Sequence, residues 1–360
     1  MRSLKYLISF VVPATVLLSL SVGGWGTWLG IIIPFGLFPL LELVMRGTTE
    51  NHEESEERSL WNDRAYDLQI YSMVPAQYAL LGLYLWQVGF GTHTWFEVAG
   101  MTASMGMACG TLGINVGHEL GHRRKGYEQN MSKALLLTTL YMHFFIEHNR
   151  GHHTRVATEE DPASSRYGEN IFAFFLRSIP GGWMGAWHLE AERLTKRGER
   201  MISWKNEMLR FQVIQVLFTG AIFAGFGPVA GVGFLIASLG GALLLESVNY
   251  VEHYGLARKK TEDGRYERVL PIHSWNSNHP VGRLMLFELT RHSDHHANAR
   301  RPFQVLRHFD ESPQLPTGYP GSVLLAWFPP LWFRVMHKRI AKYQDVSAPQ
   351  SAGLQQSLAA

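Results

Sequence analysis

Apolar residues fall in long uninterrupted blocks along this chain, and charges collect between the blocks. The stretch 4–22, LKYLISFVVPATVLLSLSV, carries only Lys5, and the stretch 27–45, TWLGIIIPFGLFPLLELVM, carries only Glu42. Further blocks lie at 70–90, 96–117, 211–227 and 229–249, the last two joined at Gly227-Pro228. Each approaches the ~20 residues a helix needs to cross ~30 Å of hydrocarbon. Buried helices of soluble proteins are rarely so long and so evenly apolar. The pattern predicts an all-α integral membrane protein with six transmembrane helices in three hairpins. Arg2 and Lys5 could open a signal peptide, but Ser19–Gly23 runs straight into a second apolar block, which favours a retained hairpin. Pro13, Pro34 and Pro39 are tolerable inside membrane helices, where neighbouring groups satisfy the freed carbonyls.

Two shorter apolar pieces do not fit a span. The piece 132–146 is too short and is expected at the membrane surface or against the bundle. The piece 323–336 contains Pro329-Pro330, which argues against one continuous helix, and its aromatic residues suit an interface. Residues 345–360 read as a disordered tail, leaving one membrane domain at 1–344.

Charge sets the expected orientation. The linkers 23–26, 89–95 and 227–228 contain no Lys, Arg, Asp or Glu, whereas 118–210 and the chain after 250 are rich in Arg and Lys. Positive loops stay on the cytoplasmic side. Both termini and the large polar segments are therefore expected in the cytoplasm of a bacterial-type inner membrane. The acidic loop 46–66 is read as a solvated linker on that side. Charged residues make up only 18% of the chain, which fits a membrane protein and offers no nucleic-acid surface. A single cysteine excludes a disulfide framework and a Cys-rich metal cluster.

Seventeen histidines are an excess, and most of them cluster. His118-Glu119-Leu120-Gly121-His122 follows the fourth block. Glu147-His148-Asn149-Arg150-Gly151-His152-His153 comes next. Asn249-Tyr250-Val251-Glu252-His253 ends the sixth block, and Arg291-His292-Ser293-Asp294-His295-His296 follows. Spacings of i,i+3 and i,i+4 put imidazoles on one helical face. All four clusters fall on the expected cytoplasmic side. Isolated residues such as His52, His93, His143 and His337 are read as ordinary polar side chains. Nine imidazoles exceed what one metal can take, and two metals with four or five nitrogens each fit. Imidazole suits zinc, copper, iron and nickel, and spacing does not choose among them. HELGH also matches the HExxH zinc-protease pattern, with Glu119 as base. That reading leaves the other seven histidines with too little to do, and a metal transporter would want its ligands near the bilayer midplane.

The boxes HELGH (118–122), EHNRGHH (147–153), NYVEHYGL (249–256) and LTRHSDHH (289–296) resemble those of the AlkB-type alkane 1-monooxygenases, within the membrane-bound di-iron hydroxylase and desaturase superfamily. The likeness runs from about residue 1 to 340. NYVEHYGL distinguishes the alkane branch from fatty acyl desaturases. One small departure is Thr290, where the family commonly has Gln. The resemblance implies that His118, His122, His148, His152, His153, His253, His292, His295 and His296 hold two non-haem iron ions. It further implies hydroxylation of the terminal methyl of medium or long n-alkanes with O2. Electrons would come from rubredoxin, reduced by a rubredoxin reductase with NADH. Cys109 stands alone, and a rubredoxin iron needs four thiolates, so this donor is expected as a separate protein. Related alternatives are a xylene-type monooxygenase and a fatty acyl hydroxylase or desaturase.

The chemistry is consistent with that placement. A terminal C–H bond has no acid, leaving group or polar handle, so a redox-active metal must begin the reaction, and zinc has no redox chemistry. An alkane partitions into the bilayer by ~0.8 kcal/mol per CH2 and would reach the metals from there, while electrons arrive from water. Phe35 and Phe38 on the second block are candidates for limiting chain length. Ligand histidines usually give their second nitrogen to a carboxylate or carbonyl. Glu119, Glu246 and Asp294 are the leading candidates, with Glu147, Glu252 and Asp161 also near ligands. Arg123, Arg124, Arg150 and Arg155 are expected to form a basic docking surface for an acidic donor.

Overall fold

The computed structural model describes residues 2–343, and its regular structure is helical. Among these residues the sole extended pairings are two isolated bridges, Lys260 with Tyr266 and Asn276 with Gln314. The tail expected to be disordered, 345–360, lies outside the described residues.

The main helices in chain order are Arg2–Ser21 (α1), Gly24–Val44 (α2), Arg64–Phe90 (α3), Trp95–Ala108 (α4), Gly126–Leu137 (α5), Ile171–Thr195 (α6), Glu207–His253 (α7), His292–Ala297 (α8), Tyr319–Ala326 (α9) and Pro329–Ile340 (α10). Their starts follow local chemistry. Asp63 accepts from the N–H of Ala65, Asn170 from those of Phe172 and Ala173, and Asn206 from that of Leu209. Thr94 and Glu97 form a reciprocal capping box. The piece 323–336 is divided into α9 and α10, with Pro329 opening the second helix. Among the described residues three helices, α1, α2 and α7, are long and apolar enough to cross a membrane.

Although α7 runs for 47 residues, it is not one rod. At Gly227 the backbone leaves the helix, with φ 81° and ψ 173°. The rings of Phe218 and Phe234 lie 5.8 Å apart. Sixteen residues of continuous helix would separate them by roughly 24 Å at 1.5 Å per residue. The chain therefore doubles back at Gly227, and Pro228 starts the return arm with its preset φ. A Cβ on Gly231 would meet the Phe223 ring at 2.7 Å, so the two arms touch closely beside the bend.

The three charge-free turns gather at one end of the bundle. Glu97 accepts from the N–H of Gly24, 2.7 Å away, and the Phe90 and Phe226 rings are 5.8 Å apart. Small residues let the helices approach. A Cβ on Gly30 would lie 2.6 Å from Ser104, and one on Gly106 would lie 3.6 Å from the Cα of Gly240.

At the other end the N-terminal helices grip the C-terminal cap. The Tyr6 hydroxyl donates to Glu288 at 2.7 Å, and Arg283 donates to the same carboxylate at 2.6 Å. Glu42 accepts from the N–H of Gly282, and Asn51 exchanges two hydrogen bonds with the backbone of His308. These contacts fix α8, which carries the fourth histidine box. The helix α6 was not apparent from hydrophobic blocks. It buries Phe174, Phe175 and Leu194, and exposes Phe172, Leu176 and Trp183 along one stripe.

Replacing Gly227 with Ala places a Cβ in a backbone region that only glycine occupies without strain. The expected loss is about 1–3 kcal/mol of stability. Thermal unfolding of the purified variant in detergent checks this, and an unchanged midpoint would contradict the tight bend.

Candidate metal centre

Four separate segments deliver the histidines, and helical geometry decides where each ring points. Beyond α4 the backbone passes through the wide turn Cys109–Val116 into Gly117–Gly121, which carries His118. His122 caps that turn. The second segment is also a wide, π-type turn, His148–His152, continuing into His153–Arg155. Turns of this type frequently mark functional sites. His253 is the last residue of α7, and α8 supplies His292, His295 and His296.

These nine rings converge into two adjoining groups. One contains His118, His122, His148, His153 and His295, and the other His152, His253, His292 and His296. Within each group one ligand atom per residue lies within 4.8 Å of all the others. In the first, Nε2 atoms are 2.9 Å apart for His118 and His295, 3.1 Å for His122 and His148, and 3.0 Å for His148 and His153. In the second, the separations are 3.2 Å for His152 and His296, 3.3 Å for His253 and His292, and 2.8 Å for His292 and His296. Two nitrogens bound at ~2.1 Å to one metal, 90–110° apart, sit roughly 3.0–3.4 Å from each other. The rings thus already have the spacing of a coordination shell. His152 and His153 meet across the seam, with ring centroids 5.9 Å apart.

The i,i+4 pair His148 and His152 was expected on one face. The two rings instead serve different groups, and His148 pairs with His153 at i,i+5. The π-type turn is the reason, because its hydrogen bonds span five residues rather than four and widen the turn.

Burial keeps the rings in the ligand state. It pushes His118, His122, His148, His153, His292 and His296 well below the ordinary imidazole range, and neighbouring imidazoles push further. His295 is brought down to about 3 in the same way. Neutral imidazole is the form that binds metal. His152 differs. Burial lowers it, but Asp161 beside it outweighs that and raises it. Its Nδ1 lies 2.8 Å from Asp161 Oδ2, an arrangement that assigns the proton to Nδ1 and leaves Nε2 free for a metal. Ser164 and the N–H of Ala163 hold the same carboxylate.

The three leading outer-partner candidates make their hydrogen bonds elsewhere. Glu119 accepts from Arg123 and from the N–H of Phe303, Glu246 from the Tyr141 hydroxyl, and Asp294 from Arg307 and its backbone N–H. Adjacent residues on a helix point in different directions, so nearness in sequence misled. Asp161 makes the contact from the loop after the second box. Glu252 also reaches the site: one oxygen lies 3.2 Å from His292 Nε2, and the other accepts from Tyr319 at 2.6 Å.

An apolar cavity leads to the rings. Phe35, Phe38, Met107 and Leu244 are among its walls, and His118, His148 and His292 lie at its polar end. A second, polar cavity reaches His122, and its lining includes Arg64, Arg124, Lys125 and Arg300 beside Asp67 and Glu128. Among the four expected docking arginines, Arg123 pairs with Asp67 and Glu119, Arg150 with Glu190, and Arg155 with Glu147. Arg124 is exposed, as are Lys125, Arg64 and Arg300.

Comparison with known proteins follows the same residues. The fatty acid desaturase family model matches residues 92–324. The chain is 44% identical to an alkane 1-monooxygenase of Pseudomonas putida over 346 residues, covering 94% of this chain and 86% of that protein. It is 43% identical to alkane 1-monooxygenase 1 of Alcanivorax borkumensis over 344 residues, 94% and 85% of the two chains. A xylene/toluene monooxygenase hydroxylase component of Pseudomonas putida is 27% identical over 341 residues, 94% and 89% of the two chains.

The second box is buttressed by Glu190, which receives Arg150, Arg193 and the N–H of Glu207. Burial raises its carboxyl, but these donors prevail and hold it at about 2. The folded value lies below the ordinary one, so the stabilisation is complete above about pH 4.5 and disappears as pH falls through 2. The stability gap between wild type and Glu190→Gln should therefore be full at neutral pH and shrink over that window. A gap independent of pH would contradict this role.

Proposed function

The chain belongs to the fatty acid desaturase family and, within it, to the alkane 1-monooxygenases, and from that premise we propose that it hydroxylates the terminal methyl of medium- to long-chain n-alkanes. The balanced reaction consumes one O2, two electrons and two protons, and yields a primary alcohol and water. The observation that carries this reading is the pair of imidazole groups at the polar end of an apolar cavity. Nine donors, His118, His122, His148, His152, His153, His253, His292, His295 and His296, would hold two iron ions. Bound iron supplies the redox chemistry that activates O2 and breaks an unactivated C–H bond.

The residues around the pair do the rest. Apolar walls bind the chain, strip it of water and align its terminal methyl toward His118, His148 and His292. Phe35 and Phe38 bound the cavity on α2 and limit how long a chain fits. Asp161 fixes the tautomer of His152. Glu119 is engaged by Arg123 and Phe303, which leaves it ill-placed as the general base of a zinc protease.

We read residues 1–344 as one bacterial inner-membrane domain with six spans and cytoplasmic termini. The bend at Gly227 supports two spans in α7, and exposed Trp25, Trp86 and Trp95 near the gathered turns suit an interfacial belt. The donor in this reading is a separate rubredoxin, reduced by a rubredoxin reductase with NADH. Arg64, Arg124, Lys125 and Arg300 frame the polar cavity and suit an acidic partner, with His122 at its floor. Salt should slow that reduction, and salt-independent kinetics would remove the surface from the account.

Feeding n-alkanes with O2, rubredoxin and its reductase tests the function. Primary alcohols carrying label from 18O2 are expected. Exclusive oxidation of aromatic methyl groups would favour the xylene-type relative instead. Phe35→Ala should extend the accepted chain length, and an unchanged product profile would remove Phe35 as a limit.

A further inference from the structure

The two imidazole groups are unequal, with five rings in one and four in the other. Glu252 reaches one nitrogen of the smaller group. Its Oε2 is 3.2 Å from His292 Nε2. That falls within the 2.8–3.3 Å that the imidazole nitrogens of this group keep from one another. The oxygen therefore meets the nitrogen of His292 that faces the other rings, unlike Asp161, which meets the outer Nδ1 of His152.

Charge points the same way. Glu252 is 1% exposed. Most of the buried carboxylates nearby are answered by arginine: Glu119 by Arg123, Glu147 by Arg155, and Asp294 by Arg301 and Arg307. Glu252 has no guanidinium or ammonium against it among the described residues; its partners are His292 and the Tyr319 hydroxyl. A buried carboxylate without a counter-charge is costly, and a divalent cation at the ring of nitrogens would supply that charge. Tyr319 donates to Oε1 at 2.6 Å, which turns Oε2 inward. Glu252, Tyr319 and His292 all line the apolar cavity, so this donor lies on its substrate side.

We propose that Glu252 is a direct oxygen ligand of the metal held by His152, His253, His292 and His296, oriented by Tyr319. Each metal would then have five protein donors, and the two would differ in charge and donor set. Mixed nitrogen and carboxylate donors suit iron. The inference rests on the two-metal reading and adds a ligand to it.

Anaerobic titration of the full-length apoprotein with cobalt(II) tests it without turnover, since cobalt's visible bands report coordination number. Wild type should bind two cobalt ions. In Glu252→Gln the first should bind as in wild type. The second should weaken by at least ~100-fold, with bands that intensify as the site loses a donor. Tyr319→Phe should weaken the second ion by roughly tenfold and leave its bands in place. If Glu252→Gln binds the second ion like wild type, or weakens it with unchanged bands, Glu252 is not a ligand. Should that variant fail to fold, Glu252→Ala lacks the same carboxylate and is titrated under the same criteria. A wild-type protein that takes up fewer than two ions would overturn the two-metal reading and the ligand with it.

Discussion

Nine imidazoles can be buried side by side only if something replaces the water their nitrogens give up. A buried polar atom without a partner is costly, and these atoms face one another at 2.8–3.3 Å. A pair of metal ions would resolve that conflict, and the rest of the fold holds the rings in place. Two wide helical turns aim His118, His148 and His153. The end of α7 delivers His253, and the cap gripped by Tyr6, Glu42 and Asn51 delivers α8. Asp161 and Glu190 stiffen the second box from outside.

The same arrangement separates two kinds of access. The apolar cavity meets His118, His148 and His292, and a separate polar cavity meets His122. A hydrocarbon and an electron carrier need incompatible surroundings, one dry and one wet. Placing the rings between them lets each arrive without crossing the other's environment.

Much of this was legible in the sequence, because it depends on pattern. The apolar blocks gave α1, α2 and the doubled α7, Gly227-Pro228 marked the bend, and the four boxes named the rings that meet. What escaped depends on three-dimensional direction. The switch from i,i+4 to i,i+5 hydrogen bonding at His148–His152 redistributes two rings between the groups, and ordinary helical spacing cannot show it. Asp161 is nine residues beyond His152 in a loop, so no periodicity links them. Three of the four arginines expected on the docking face are taken by carboxylates that only folding brings near. The helix α6 was hidden because Pro180, Gly181, Gly182 and its charges dilute the apolar pattern.

Anomalous X-ray diffraction at the iron edge would test the central claim most directly, using protein purified with its native metal. Two iron peaks are expected, one inside the five-ring group and one inside the four-ring group. A single peak, a zinc signal in place of iron, or metal bound away from these rings would contradict it.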